Sequence, residues 1–165
     1  MALLSLQQIH KTFEKGTVNE NHVLRGLDLD IEQGDFISVI GGNGAGKSTL
    51  IKMITGVLIP DQGNVSVFGK SYSAARKVIL NKIGVLFGQK SALLYDLPLI
   101  DSIHYYQYMY KVSENTFNEE IHELMKKLDI LPLLNTPVRK MSLGQRMKSE
   151  IITTMIHNPK FLILD

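Results

Sequence analysis

The stretch Gly41-Gly42-Asn43-Gly44-Ala45-Gly46-Lys47-Ser48-Thr49 constrains this chain more than any other. It follows the apolar run Phe36-Ile37-Ser38-Val39-Ile40 and precedes Leu50-Ile51-Lys52-Met53-Ile54, so it sits at a predicted strand-to-helix joint. A glycine-rich loop there, closing in Gly-Lys-Ser, has the form of a phosphate-binding P-loop. Glycines let the backbone turn tightly and bring N–H groups to an anion with no Cβ in the way. The following helix adds the positive end of its dipole. Lys47 offers a mobile charge to the β- and γ-phosphates, and the Ser48 hydroxyl is a hard oxygen ligand for Mg²⁺. The Thr49 hydroxyl falls near the α-phosphate. A plain surface glycine loop gives no reason for Lys-Ser-Thr at its end.

With 165 residues, 44% of them hydrophobic, the chain is long enough to build a core. Its 18 basic and 16 acidic residues nearly cancel, which speaks against a general nucleic-acid binder. No cysteine is present, so disulfides, zinc ribbons and thiol chemistry are excluded, and a reducing cytoplasm is compatible. The N-terminus has no basic segment and too short an apolar run for a signal peptide. No apolar run approaches the roughly 18 residues of a membrane span, so a membrane role implies a partner. There is no internal repeat or low-complexity tract.

Patterning predicts strands at 3–9, 23–31, 36–40, 64–68 and 83–87, with a polar loop over 14–22 and a turn at Pro60-Asp61-Gln62-Gly63. Helices are predicted over 47–55, stopping at Gly56, and over 73–80. From about Lys90 to Asn158 the pattern is mainly helical. One helix covers 101–110, with Asp101 or Ser102 as its cap. A second starts at Asn115 or Thr116 and runs to Leu128, with Phe117, Ile121, Leu124, Met125 and Leu128 on one stripe. A third covers 142–157 and ends before Asn158-Pro159.

Two further stretches carry chemistry. Phe161-Leu162-Ile163-Leu164-Asp165 is an apolar strand ending in an acid, the Walker B pattern. Beside a P-loop strand, such an acid holds the Mg²⁺ bound by Ser48, directly or through water. Lys140-Met141-Ser142-Leu143-Gly144-Gln145-Arg146-Met147 opens the last helix. S-x-G-Q there is either a second anion site at a helix N-terminus or an ordinary Ser142 cap. Between an upstream P-loop and a following strand-Asp, this stretch resembles the signature of ATP-binding cassette (ABC) ATPases. The usual form is LSGGQ. Met141 replaces its Leu and Leu143 its first Gly, while Ser142, Gly144 and Gln145 are kept.

The resemblance covers the whole chain. It implies an α/β P-loop NTPase core with an N-terminal antiparallel β subdomain and an inserted helical subdomain, the C-terminal part of the usual fold being missing. Residues 1–89 would be the β subdomain and P-loop core, 90–158 the helical subdomain and 159–165 the Walker B strand, together one partial ATPase domain. ATP and Mg²⁺ are the implied cofactors. Gln89 matches the Q-loop residue that contacts Mg²⁺ and the attacking water. Phe13 matches the aromatic that stacks on adenine, where Tyr is more usual; its alternative is a plain core Phe. Gly42 stands where Pro is often found. Residues 87–98 and Ser-Leu-Gly-Gln-Arg-Met look most like bacterial ABC-2 exporters.

In the family two ATPase subunits pair head-to-tail, so Ser142, Gly144 and Gln145 would act on the partner's γ-phosphate. A transmembrane permease subunit would dock near residues 89–110, on the cytoplasmic face of the membrane. The helix bearing Tyr105, Tyr106, Tyr108 and Tyr110 would contribute an interaction face, or else Tyr105, Tyr108 and Met109 form a small core. The family's Glu after Walker B and its later switch His have no counterpart up to Asp165. A truncated chain that binds nucleotide but hydrolyses it poorly is therefore expected. His157, at a helix end, reads as structural or solvated. An unrelated P-loop kinase or GTPase, or an ABC-type ATPase acting on DNA or ribosomes, would need a lid, zinc motifs or a long coiled coil that the sequence lacks.

Overall fold

The computed structural model describes residues 2–88, 91–117 and 121–165. The chain divides into two units, Met1–Leu80 and Asn81–Asp165. Among the described residues no helix is long and apolar enough to cross a membrane.

The first unit is built on an antiparallel sheet of order β2-β1-β3, with β1 at Leu4–Phe13, β2 at Asn21–Ile31 and β3 at Gln62–Val67. Leu4, Leu6 and Ile9 of β1 are fully buried. Their spacing lengthens from two to three because the ladder slips between Leu6 and Ile9, where Gln8 takes φ 50°. Gly63 of β3 answers this bulge. A Cβ at Gly63 would overlap the Gln7 and Gln8 carbonyl oxygens, and its φ of 91° suits only glycine well. The antiparallel β subdomain expected from the sequence is thus present.

The turn at Pro60–Gly63 is pinned through Asp61. Its carboxylate accepts from the Thr12 backbone N–H at 2.7 Å and from Lys11 Nζ at 3.1 Å, and Lys15 Nζ lies 3.2 Å away. Its own N–H donates to the His10 carbonyl. The C-terminal end of β1 is therefore tied to the turn that leads into β3.

The expected strand at 36–40 does not form. These residues join no ladder among those described, and Phe36 and Ile40 are almost fully exposed. An apolar run becomes a strand only when neighbouring strands take up its N–H and C=O groups. Helix α1, Lys47–Ile54, buries Leu50, Ile51, Met53 and Ile54. Helix α2, Tyr72–Leu80, begins one residue earlier than expected and bends at Ala75.

In the second unit, β4 (Ile83–Leu86) and β5 (Phe161–Leu164) pair in parallel, Ile83 opposite Phe161 and Leu86 opposite Leu164. Between them in sequence run α3 (Leu99–Tyr110), α4 (Glu114–Thr116), α5 (His122–Lys127) and α6 (Leu143–Met155). Leu99, Ile103, Phe117, Ile121, Met125, Ile130, Val138 and Ile152 form their common core, with Leu124 and Leu128 packed against it. The stripe read from the sequence is therefore the buried one. The cap of α3 is not. The helix starts at Leu99 behind Pro98, and Ser102 is buried with its Oγ accepting from the Leu94 N–H at 2.9 Å. Pro98 presets the entry to the helix, which leaves Ser102 free to fasten the preceding loop.

The backbone N–H of Thr12, then the Lys11 ammonium, hold the Asp61 carboxyl at about 2, below its ordinary 3.8. A carboxyl with a lower pKa in the folded state contributes its full stability above 3.8 and loses it as the pH falls toward 2. Asp61→Asn should lower the thermal midpoint at neutral pH and flatten its fall across that acid window. A pH series of melting curves beside the wild type checks this, with a smaller difference expected in high salt.

Candidate functional site

The loop from Gly41 to Gly46 enters α1 with most of its donors unspent. Gly46, the N-cap, has φ 89° and offers no side chain. Ala45 N–H closes a turn on the Gly42 carbonyl at 3.3 Å, and Leu50 N–H is the first to reach back to Gly46, at 2.8 Å. Among the described residues none accepts from the backbone N–H groups of Gly44, Gly46, Lys47, Ser48 or Thr49. Lys47 Nζ folds back over the loop and donates to the Gly41 and Gly42 carbonyls at 2.7 and 2.8 Å. A row of open N–H groups at the positive end of a helix, with an ammonium set across it, fits a chain of phosphates. The Ser48 hydroxyl, in the first turn, is where a Mg²⁺ on those phosphates would find a protein oxygen.

The other end of α1 is closed. Tyr72 Oη donates to the Ile54 carbonyl at 2.6 Å and Arg76 Nη1 to the Gly56 carbonyl at 2.7 Å. Thr55 Oγ1 takes the Ile51 carbonyl at 2.9 Å. Burial pushes the Tyr72 phenol up to about 12, so it stays a donor at any ordinary pH. The sequence reading missed this clamp, which joins residues 18 and 20 positions apart with no motif to mark it.

The glycine loop also abuts the sheet. A Cβ at Gly46 would lie 2.9 Å from Val23 Cγ1 and 3.3 Å from Leu24 Cδ2. Leu24 pairs with Lys11 across the ladder, and Phe13 pairs with Asn21 at the same strand end. Phe13 thus stands at the sheet margin nearest the loop. It is 39% exposed, which rules out a core position. Lys11 Nζ, held by the Ile59 carbonyl at 3.0 Å and by Asp61, lies 5.8 Å from the Phe13 ring centroid.

In the second unit Ser142 caps α6 in a capping box. Its Oγ accepts from Gln145 N–H at 3.2 Å, and Gln145 Oε1 accepts from Ser142 N–H at 2.8 Å. The box uses acceptor oxygens only. The Ser142 hydroxyl proton and the Gln145 amide protons are left over, beside the open backbone N–H groups of Leu143 and Gly144. Nothing lies within 4 Å of where a Gly144 Cβ would sit. The ordinary cap and the anion site, alternatives in the sequence, are therefore compatible in one structure. Asp165 follows β5, its N–H on the Leu86 carbonyl at 2.9 Å, so it stands at the carboxyl end of a parallel strand, exposed. Gln89 lies outside the described residues.

Tyr105 and Tyr108 are exposed, as is Met109, so they do not form the small core considered from the sequence. On a helix whose Leu99 and Ile103 already face the core, those positions point away from it. Tyr106 and Tyr110 are half-buried instead. His157, also half-buried, stacks on Tyr110 with ring centroids 3.9 Å apart.

A family profile described as "ABC transporter" matches residues 24–165. The chain belongs to that family. A putative ABC transporter ATP-binding protein of Archaeoglobus fulgidus is 34% identical over 143 residues, which are 86% of this chain and 60% of that protein. ABC transporter ATP-binding protein NatA of Bacillus subtilis is 30% identical over 142 residues, 86% of this chain and 58% of that protein. Among solved structures, cbiO1 from Clostridium perfringens, part of the ABC transporter complex cbiONQ, superposes with a TM-score of 0.83 at 27% identity. That match covers 99% of this chain and 65% of cbiO1. The chain thus spans somewhat under two thirds of the relatives it matches. It has the α/β fold of that family, with its antiparallel sheet and helices.

Substitutions in the loop should separate sharply. Gly42 has a negative φ and open space around it, so Gly42→Ala should leave stability within about 0.5 kcal/mol. Gly46→Ala meets both a left-handed φ and Val23, and should cost at least about 1–2 kcal/mol. Urea unfolding of the two variants beside the wild type measures the difference.

Proposed function

We propose that this chain is the nucleotide-binding part of a transporter's ATP-binding subunit. It holds Mg-ATP on Gly41, Asn43, Gly44, Ala45, Gly46, Lys47, Ser48 and Thr49, with Phe13 against the adenine. The observation that carries this is the set of open N–H groups at the start of α1 with the Lys47 ammonium over them. Those donors are solvated until an anion replaces the water, and a polyphosphate replaces it at every position at once. Mg²⁺ would be held by Ser48, Asp165 and Gln89, and when bound it neutralises charge on the β- and γ-phosphates.

The exposed α6 entrance supports a role between subunits. Its spare donors, at Ser142, Gly144 and Gln145, suit the γ-phosphate of an ATP carried by a second ATPase subunit facing it head-to-tail. The complete pair would hydrolyse ATP and drive movement across the cytoplasmic membrane through a transmembrane permease subunit, with this chain peripheral on the inner face. Export is the direction favoured by the likeness of residues 87–98 to ABC-2 exporters. The tyrosine-bearing helix α3, with Tyr105, Tyr108 and Met109 exposed, supports permease docking around residues 89–110.

Titration of ATP into the chain with and without Mg²⁺, beside Lys47→Ala, tests the cradle. Removing a charge-assisted donor pair should weaken binding by roughly 10- to 100-fold. Equal affinity in the two proteins would overturn the assignment. For docking, Tyr105→Ala or Tyr108→Ala in the complete protein should reduce recovery of the co-expressed permease. Unchanged recovery would remove the docking surface.

A further inference from the structure

Phe13 is the last residue of β1 and pairs with Asn21, the first residue of β2. It is exposed, so burial does not fix its ring. Every residue from Glu14 to His22 is exposed as well, so apolar packing does not hold the loop that joins the two strands. The final rung of a ladder frays unless something beyond it closes the chain.

Polar contacts supply that closure. Thr12 and His22 face each other on the rung before, and Thr12 Oγ1 hydrogen-bonds His22 Nδ1 at 2.9 Å. On the loop side, Glu20 uses both carboxylate oxygens. Oε2 accepts from the Gly16 N–H at 2.7 Å, and Oε1 lies 3.1 Å from His22 Nε2. His22 thus stands between Thr12 and Glu20, one ring nitrogen toward each.

Within the loop, the Thr17 N–H and Thr17 Oγ1 both donate to the Glu14 carbonyl, at 3.2 and 2.8 Å. The Glu20 N–H donates to the Thr17 carbonyl at 3.2 Å. These bonds hold Glu14, directly after Phe13, at a φ of 52° that a non-glycine residue rarely adopts. Lys15 Nζ reaches out of the loop to Asp61, 3.2 Å away, whose carboxylate also takes the Thr12 N–H. Phe13 is therefore bracketed before and behind while its ring stays exposed.

We propose that Glu20 and His22 are positioning residues for the nucleobase. They lock the loop between β1 and β2 and hold Phe13 as a pre-formed stacking face. The inference rests on the stacking of adenine on Phe13 argued above, and adds what keeps that ring in place. A flexible aromatic must be ordered at the moment of binding, and that ordering subtracts from affinity. A ring ordered in advance escapes the loss. Exposed polar contacts of this kind contribute little to global stability. Their removal therefore acts on the loop and the base, and leaves the glycine loop and α1 as they were.

The experiment compares Mg-ATP with Mg-tripolyphosphate, which has the phosphates and no base, by calorimetric titration of the complete protein. Glu20→Ala and His22→Ala should each weaken ATP binding by about two- to tenfold. Tripolyphosphate affinity and the thermal midpoint should not change in either. Glu20→Gln keeps an acceptor for the Gly16 N–H and should recover most of the loss. Phe13→Ala should weaken ATP binding at least as much as Glu20→Ala. In the Phe13→Ala background, Glu20→Ala should have no further effect, because Glu20 acts through the ring.

Unchanged ATP affinity in Glu20→Ala and His22→Ala, an equal loss with tripolyphosphate, no recovery in Glu20→Gln, or an additive double variant would each overturn the proposal. The stacking reading is tested separately. Unchanged ATP affinity in Phe13→Ala removes the stack and the proposal with it. A weakened Phe13→Ala beside an unaffected Glu20→Ala keeps the stack and refutes the positioning.

Discussion

Helix α1 is satisfied at one end and open at the other, and the proposed nucleotide site depends on that asymmetry. A helix leaves N–H groups unpaired at its start and carbonyls unpaired at its finish. Here Tyr72, Arg76 and Thr55 take up carbonyls at the finish. The start has a glycine where a serine or aspartate would usually cap it. Four apolar side chains hold the short helix against its unit, so it can leave its first turn unpaired. The loop before it stays in register because Gly46 packs on Val23 and Leu24, on a sheet whose first strand is tied down by Asp61.

Helix α6 uses the opposite arrangement. Its first turn is capped, by Ser142 and Gln145, yet the cap consumes oxygen acceptors and leaves protons facing outward. At its far end the polar side chains have given their protons to carbonyls and present lone pairs. One helix therefore carries a donor-rich end and an acceptor-rich end. Both follow from which backbone groups each side chain happened to satisfy.

Much of this was legible in the sequence, for reasons that differ by element. The glycine loop could be read because each position needs one residue type for a local reason, and local backbone geometry is carried by neighbouring residues. β1 to β5 as separate strands and the apolar stripe ending at Leu128 followed from patterning, whereas the expected place of β5 beside a 36–40 strand did not, since β5 pairs with β4. Residues 36–40 did not become a strand, because an apolar run supplies half a strand and its ladder partners must supply the rest. Phe13 could not be assigned from one aromatic after a strand. Its exposure at the margin beside the Val23–Gly46 contact distinguishes it from a core residue. Ser102 reads as a helix cap in any local window, and only the approach of Leu94 shows what its hydroxyl is for.

By itself the sequence determined the resemblance to the ABC family, the glycine loop, the signature-like stretch and the acid after the last strand. These are runs of a few residues whose chemistry depends on their own spacing. The tertiary structure decided which protons are free. Tyr72 reaching Ile54, Tyr106 reaching Ala92 and His157 reaching Ile83 join positions far apart in the chain, and each turns a donor inward or leaves a lone pair outward. Hydrogen-bond direction depends on partners that only folding brings within 3 Å, so no reading of residue types along the chain contains it.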